Sequence, residues 1–403
     1  MNASPSWRPA TVCVRGALNG GAKHGPLVQP LVQSTTYAWP DLDHPPPVTY
    51  ARSGNATVEA LENRLAQLEG GSRGICFGSG LAAIDALLRS LPNRARVVVG
   101  RHVYGGTTRL IQNLHQGRIQ IETVDTADAT ALKAALKVPV SLVLLETPSN
   151  PTLRIVDLRQ AAAMTHEAGG LLAVDNTLLT PLYQRPLALG ADVSIHSTTK
   201  YLEGHDATLG GAVVLPERLS NRGTSTSDGS LESRLRWVRK TAGAVLAPFE
   251  AWLTLQGIKT LHLRTAAQWA SASRLVRIIA RRPEVRSTFY PGLAQHPGHE
   301  IHQRQATGDG GIIGLDLGSL NSARTFVSSL RVFTLAENLG ATESIATHPA
   351  SMTHSDLPIE RRLADGIPDG LVRLSVGVED PEDLESDINA AFAILESHRL
   401  VAA

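Results

Sequence analysis

Lys200 closes the run Ala191-Asp192-Val193-Ser194-Ile195-His196-Ser197-Thr198-Thr199-Lys200, an apolar strand pattern that ends in hydroxyls and then an amine. A second apolar run, Leu171-Leu172-Ala173-Val174, ends at Asp175. Burial disfavours the charged form of a lysine and so makes its amine a better nucleophile toward a carbonyl carbon. The adjacent hydroxyls are donors suited to a phosphate. A carboxylate at the end of the preceding strand can keep a ring nitrogen protonated. Amine, phosphate donors and carboxylate together suit a Schiff-base cofactor of the pyridoxal phosphate (PLP) kind.

Ser197-Thr198-Thr199-Lys200 spells the S-x-x-K of serine acyl-transfer enzymes, which also expects S-D-N and K-T-G. Neither is present, and Lys240-Thr241-Ala242-Gly243 only approximates the second. Gly78-Ser79-Gly80-Leu81-Ala82-Ala83 matches the G-x-G-x-x-A of nicotinamide enzymes, but that fingerprint wants an acid ending the next strand. Val97-Val98-Val99 is followed by Gly100 and Arg101 instead. What survives is a helix N-terminus whose backbone N–H groups can cradle a phosphate. Tyr104, followed by two glycines, is a candidate ring-stacking platform. Arg373 alternates with apolar residues in Leu371-Val372-Arg373-Leu374-Ser375, so it is either a surface residue or a bidentate carboxylate clamp. His296, His299 and His302 have ligand-like spacing without H-E-x-x-H or cysteine support, and read as the solvated start of a helix; no metal is assigned.

These residues need a scaffold. Strand-length apolar runs at 75–77, 97–99, 142–145, 171–174, 193–195 and 212–215 alternate with helical patterns such as 81–91 and 157–168. Such alternation predicts an α/β fold with a mostly parallel sheet covered by helices, which binds ligands at the carboxyl ends of its strands. Val58, Leu61, Leu65 and Leu68 predict a helix from Thr57, stopped by Gly70-Gly71. A long helical region is expected over 248–279. A final helix begins with Asp380 as cap and Pro381 at its first position. The polar stretch from Arg218 to Ser233 reads as a mobile loop. Residues 1–54 show few packing signals of their own and are expected to lie against something else. The resulting division is an N-terminal arm over 1–54, a cofactor-binding large domain over 55–247 and a C-terminal domain over 248–403.

With 403 residues, the chain exceeds one ordinary core. A net charge of +1 gives no electrostatic case for nucleic acid or an anionic membrane. Two cysteines, Cys13 and Cys76, make no disulfide framework, which favours a reducing compartment. No secretory pattern opens the chain and no apolar run has membrane-span length, so a cytoplasmic location is expected.

Several motifs together resemble the PLP-dependent enzymes of cysteine and methionine metabolism, the trans-sulfuration family. They are Tyr50-Ala51-Arg52-Ser53-Gly54-Asn55, Glu146-Thr147-Pro148-Ser149-Asn150-Pro151, Asp175-Asn176-Thr177, Ser197 to Gly204, and His348 to His354. The resemblance implies a PLP-dependent transferase-like fold (fold type I), with a large domain and a smaller α+β C-terminal domain. It implies that Lys200 holds PLP and shuttles protons, that Asp175 pairs with the ring nitrogen, and that Tyr104 stacks and assists as acid–base partner. Gly80 and Leu81 through N–H groups, with Ser197 and Thr199 through hydroxyls, would bind the phosphate. Tyr50 and Arg52 would reach the phosphate of a neighbouring subunit, in a dimer of dimers with shared sites. Arg373 and Asn150 would hold the substrate's α-carboxylate, while Glu337 and Arg109 point to a substrate with a second charged end. Gly106, where methionine γ-lyases carry cysteine, argues against that activity. Within the family, cystathionine γ-synthase and γ-lyase fit best in motif. Cystathionine β-lyase and O-acetylhomoserine sulfhydrylase are alternatives, the latter through Asn338, and a non-catalytic homologue is a remote one.

Overall fold

The computed structural model describes residues 7–16, 25–220 and 229–402. Seven short strands form the larger sheet: β1 (Arg73–Phe77), β2 (Arg96–Gly100), β3 (Gln120–Val124), β4 (Leu142–Glu146), β5 (Leu171–Asp175), β6 (Val193–Ser197) and β7 (Gly211–Leu215). Their order is β1-β7-β6-β5-β4-β2-β3. The pairs from β6 through β5, β4 and β2 to β3 are parallel, and β7 runs antiparallel to both neighbours. Central strands are buried along their length, as expected where helices cover both faces. Each expected strand is present, with one or two residues added at its ends. β3 was not foreseen. It lies at the sheet edge with most of its residues exposed, so Gln120, Glu122 and Thr123 interrupt any apolar run.

Helix α1 spans Pro9–Arg15, α2 Ala56–Glu69, α3 Gly80–Arg89 and α4 Gly105–Leu114. α2 starts where its cap dictates: the Asn55 side chain accepts from the N–H groups of Thr57 and Val58 at 2.9 and 3.3 Å. It ends at Gly70, whose φ of 71° is the left-handed conformation that terminates helices. The 32-residue helix Pro248–Ile279 matches the expected long segment. It runs between the larger sheet and a second one of β8 (Ser287–Phe289), β9 (Ile312–Asp316), β10 (Thr334–Leu335), β11 (Ile345–Thr347) and β12 (Leu371–Ser375), in the order β10-β11-β12-β9-β8. The final helix starts at Pro381, with Asp380 Oδ1 accepting from Glu382 N at 2.8 Å.

The N-terminal segment lies against the rest of the chain: α1 buries Val12 and Cys13, and the Arg64 guanidinium donates to the Cys13 and Gly16 carbonyls. Two expectations are corrected. Of the stretch expected to be a loop, 221–228 lie outside the described residues. Its end at 231–233 instead opens the helix Leu231–Ala242, capped by Ser230 and buried through Leu231, Leu235 and Val238. The histidine cluster does begin a helix, His299–Gln305, but it is solvated only in part, at the exposed Glu300 and half-buried His299. His302 is buried and meets Asp309 at 3.1 Å, and burial followed by the fields of His302 and His299 pushes His296 down to about 4. Among the described residues no cluster can hold a metal ion, and no helix is long and apolar enough to cross a membrane.

Candidate active site

Register brings the strand-end acids together. Glu146 at the end of β4 stands opposite Asp175 at the end of β5, and Asp175 stands opposite Ile195 of β6. The Thr177 hydroxyl donates to Asp175 Oδ1 at 2.5 Å and accepts from Ser197 N at 2.9 Å, tying the ends of β5 and β6 together. The end of β6 and the turn after it then deliver Ser197, Thr199 and Lys200 to the same edge of the sheet. These are the carboxyl ends at which an open α/β sheet presents a ligand site.

There a cavity of about 400 Å³ gathers Lys200, Asp175, Ser197, Thr199, Gly80 and Leu81. Tyr104, Asn150, Arg373, Arg109 and Glu337 line it as well. Tyr50 and Arg52 do not. They stand exposed elsewhere, the guanidinium 4.7 Å above the tyrosine ring.

At the start of α3, Ser79 Oγ accepts from Ala82 N at 3.0 Å. Gly80 and Leu81 precede the first intrahelical bond, so their N–H groups are the orphan donors of a helix N-terminus. A Cβ on Gly80 would stand 3.0 Å from Ser197 Cβ, which shows how closely this turn abuts the end of β6. The Thr199 hydroxyl is already engaged, donating to Gly210 O at 3.2 Å and accepting from Gly210 N at 3.0 Å.

Lys200 is half-buried, and burial, then the charge of Arg373, pushes its amine down to about 8, against a smaller opposing pull from Asp206. Its Nζ donates to Asn338 Oδ1, and Asn338 Nδ2 donates to Asp206 Oδ1. Burial raises Asp175, opposed by the Thr177 hydrogen bonds and by His196. A carboxyl still raised despite those bonds suits a cationic partner.

Arg373 is 2% exposed, which settles the alternatives left by its alternating pattern in favour of a buried position. Its guanidinium donates to Asn150 Oδ1 at 2.9 Å, to the Asn338 carbonyl at 2.8 Å and to Thr347 Oγ1 at 2.9 Å. No carboxylate of the chain pairs with it among the described residues, and desolvation brings it down to about 10. At the exposed side, Arg109 Nη1 donates to Asp356 Oδ2 at 2.8 Å.

Glu146 was not singled out from sequence. Its Oε2 accepts from Tyr104 N at 2.7 Å and its Oε1 from Asn150 N at 3.0 Å, so one carboxyl sets two residues of the cavity. Burial and the neighbouring Asp175 raise it well above the ordinary carboxylate range. The available signal was the one that marked Asp175: an acid ending a buried apolar strand. Tyr104 itself rests against Gly106, where a Cβ would stand 2.4 Å from its Cε1.

Residues 10–393 match the family described as Cys/Met metabolism PLP-dependent enzyme. The chain is 41% identical over 383 residues to a cystathionine gamma-lyase of Bacillus subtilis, covering 94% of this chain and 98% of that protein. It is equally 41% identical, over 382 residues with the same coverage, to a cystathionine beta-lyase of Lactococcus lactis subsp. cremoris. A crystal structure of cystathionine gamma synthase from Xanthomonas oryzae pv. oryzae, in complex with aminoacrylate and cysteine, superposes with a TM-score of 0.91 at 39% identity, over 97% of this chain and 99% of that one. The strand-end lysine and acids therefore sit in a chain that belongs to the PLP-dependent enzymes of cysteine and methionine metabolism.

Proposed function

We propose that this protein is a trans-sulfuration enzyme of the cystathionine γ-synthase or γ-lyase type, acting on cystathionine or an activated homoserine ester. The observation that carries the reading is one cavity with charge at two depths. Arg373 lies buried with no carboxylate paired to it among the described residues, while Arg109 and Glu337 stand exposed. An amino acid charged at both ends suits that distribution.

The residues fit PLP. Lys200 offers an amine already lowered toward neutrality, Asp175 offers a half-buried acid suited to a cationic ring nitrogen, and the start of α3 with Ser197 offers donors for a phosphate. Thr199 would have to share its hydroxyl with Gly210. Bound PLP supplies a carbonyl for an amine and an electron-poor ring that stores charge left at the substrate's Cα.

The chain's own residues do the rest. Arg373, steadied by Asn150 and Thr347, binds the substrate's α-carboxylate as a preorganised fork. Lys200 Nζ moves the Cα proton, and with a pKa near 8 it can both accept and return it at neutral pH. Asn338 Oδ1 orients that amine. Tyr104, fixed through its backbone by Glu146, is the acid–base partner for the leaving group. Tyr50 and Arg52 reach a neighbouring copy's phosphate site in a dimer of dimers, and the protein works in the cytoplasm.

Product analysis tests the reaction. Incubation with cystathionine should give cysteine, and activated homoserine esters with added cysteine should give cystathionine. Homocysteine and pyruvate from cystathionine would overturn the γ assignment in favour of a β-lyase.

A further inference from the structure

The exposed end of the cavity holds three charged side chains, Arg109, Glu337 and Asp356. The first two were expected there. Asp356 was not, and its Oδ2 accepts from Arg109 Nη1 at 2.8 Å. The pair joins α4 to the segment after β11, with side chains 53% and 50% exposed. An exposed pair of this kind contributes little to stability, so its consequence is local charge. Arg109 and Asp356 also line a second cavity, of about 540 Å³, so the pair stands in the wall between the two.

We propose that Asp356 is a specificity-determining residue, selecting substrates whose far end carries an ammonium together with a carboxylate over those whose far end is a lone carboxylate. This rests on the trans-sulfuration reading above. The reason is the charge tally at the exposed end. Asp356 cancels Arg109, and Glu337 adds a further negative charge on the same side. A lone carboxylate approaching Arg109 must displace Asp356 and then lie among two acids. A zwitterionic end meets the same set with complementary groups: its carboxylate takes Arg109, and its ammonium takes the acid that Arg109 releases. Substrates without a far-end charge are indifferent to the exchange. Such charge placement discriminates between ligands more than it strengthens binding.

The test compares wild-type holoenzyme with Asp356→Asn and Asp356→Ser on cystathionine, O-succinylhomoserine and O-acetylhomoserine, whose far ends are zwitterionic, anionic and uncharged. Cysteine is added for the two esters. Removing the acid should raise kcat/KM for the succinyl ester by about 5-fold or more, mainly through KM, lower it for cystathionine, and leave the acetyl ester within about 2-fold. High salt should shrink the difference between wild type and variants. Parallel changes on all three substrates, or an unchanged succinyl-to-cystathionine ratio, would overturn the role of Asp356 while leaving the trans-sulfuration reading intact. Turnover of none of the three by wild type would sink that reading, and this inference with it. The two variants differ in side-chain size but share the loss of charge, so agreement between them separates charge from packing.

Discussion

Lys200 carries an ordinary side chain into an unusual setting. A free lysine titrates near ~10.4. Burial and the facing Arg373 lower Lys200 to about 8, so the neutral nucleophile dominates above that pH. In cofactor-free protein, trace labelling with acetic anhydride across a pH series, read at the Lys200 peptide, should show a midpoint near 8. A midpoint close to that of exposed lysines would contradict this setting. The sequence exposes Lys200 and Asp175 because each ends an apolar run. It leaves Arg373 undecided, since alternation shows which neighbours share its face but not whether that face meets solvent. It hides Asp356, whose importance comes only from Arg109, which lies far away in the chain and is brought beside it by the fold.

At the scale of elements, α2 and β1 are held by a buried ion network. Glu62 accepts from Cys76 N at 3.0 Å and from the guanidinium groups of Arg236 and Arg239. Burial opposes its ionisation, but the two arginines and the hydrogen bonds outweigh it, and its pKa falls below the ordinary 4.5. A carboxyl depressed on folding contributes stability that is present above pH 4.5 and is lost as pH falls through the lower folded value. Glu62→Gln should therefore lower stability by about 3 kcal/mol at neutral pH, because buried Arg239 loses its counter-charge and Arg236 keeps only Glu232. The deficit should shrink in acid. Denaturant midpoints at several pH values measure both effects, and a pH-independent deficit would contradict the ionic account. The elements were legible where periodicity and caps agreed, as in α2 and the helix Pro248–Ile279. They were not where an edge strand such as β3 exposes its polar residues, or where α1 gains its burial from distant partners such as Arg64.

For the whole molecule, Tyr50 and Arg52 stand apart from the cavity of their own chain. Tyr50 and Arg52 are exposed, and nearby Leu27 and Leu42 are 80% and 92% exposed, an apolar load that association would cover. If a partner copy supplies Tyr50 and Arg52, Lys200→Ala and Arg52→Ala proteins should each be impaired alone. Subunit exchange between them should restore activity, up to about a quarter of wild type, since about half of the dimers become hybrids with one intact site of two. No recovery would mean that each chain completes its own site. The mostly parallel sheet and the strand ends that line the cavity were readable from alternating patterns. The expectation that copies share sites rests on resemblance alone, because a short polar segment carries no local sign of what it will touch.

The most direct measurement is covalent. Borohydride reduction of holoprotein, followed by proteolysis and mass spectrometry, should place a phosphopyridoxyl group on the peptide that carries Lys200. An adduct on another lysine, or none after incubation with PLP, would contradict the site built here from strand-end residues.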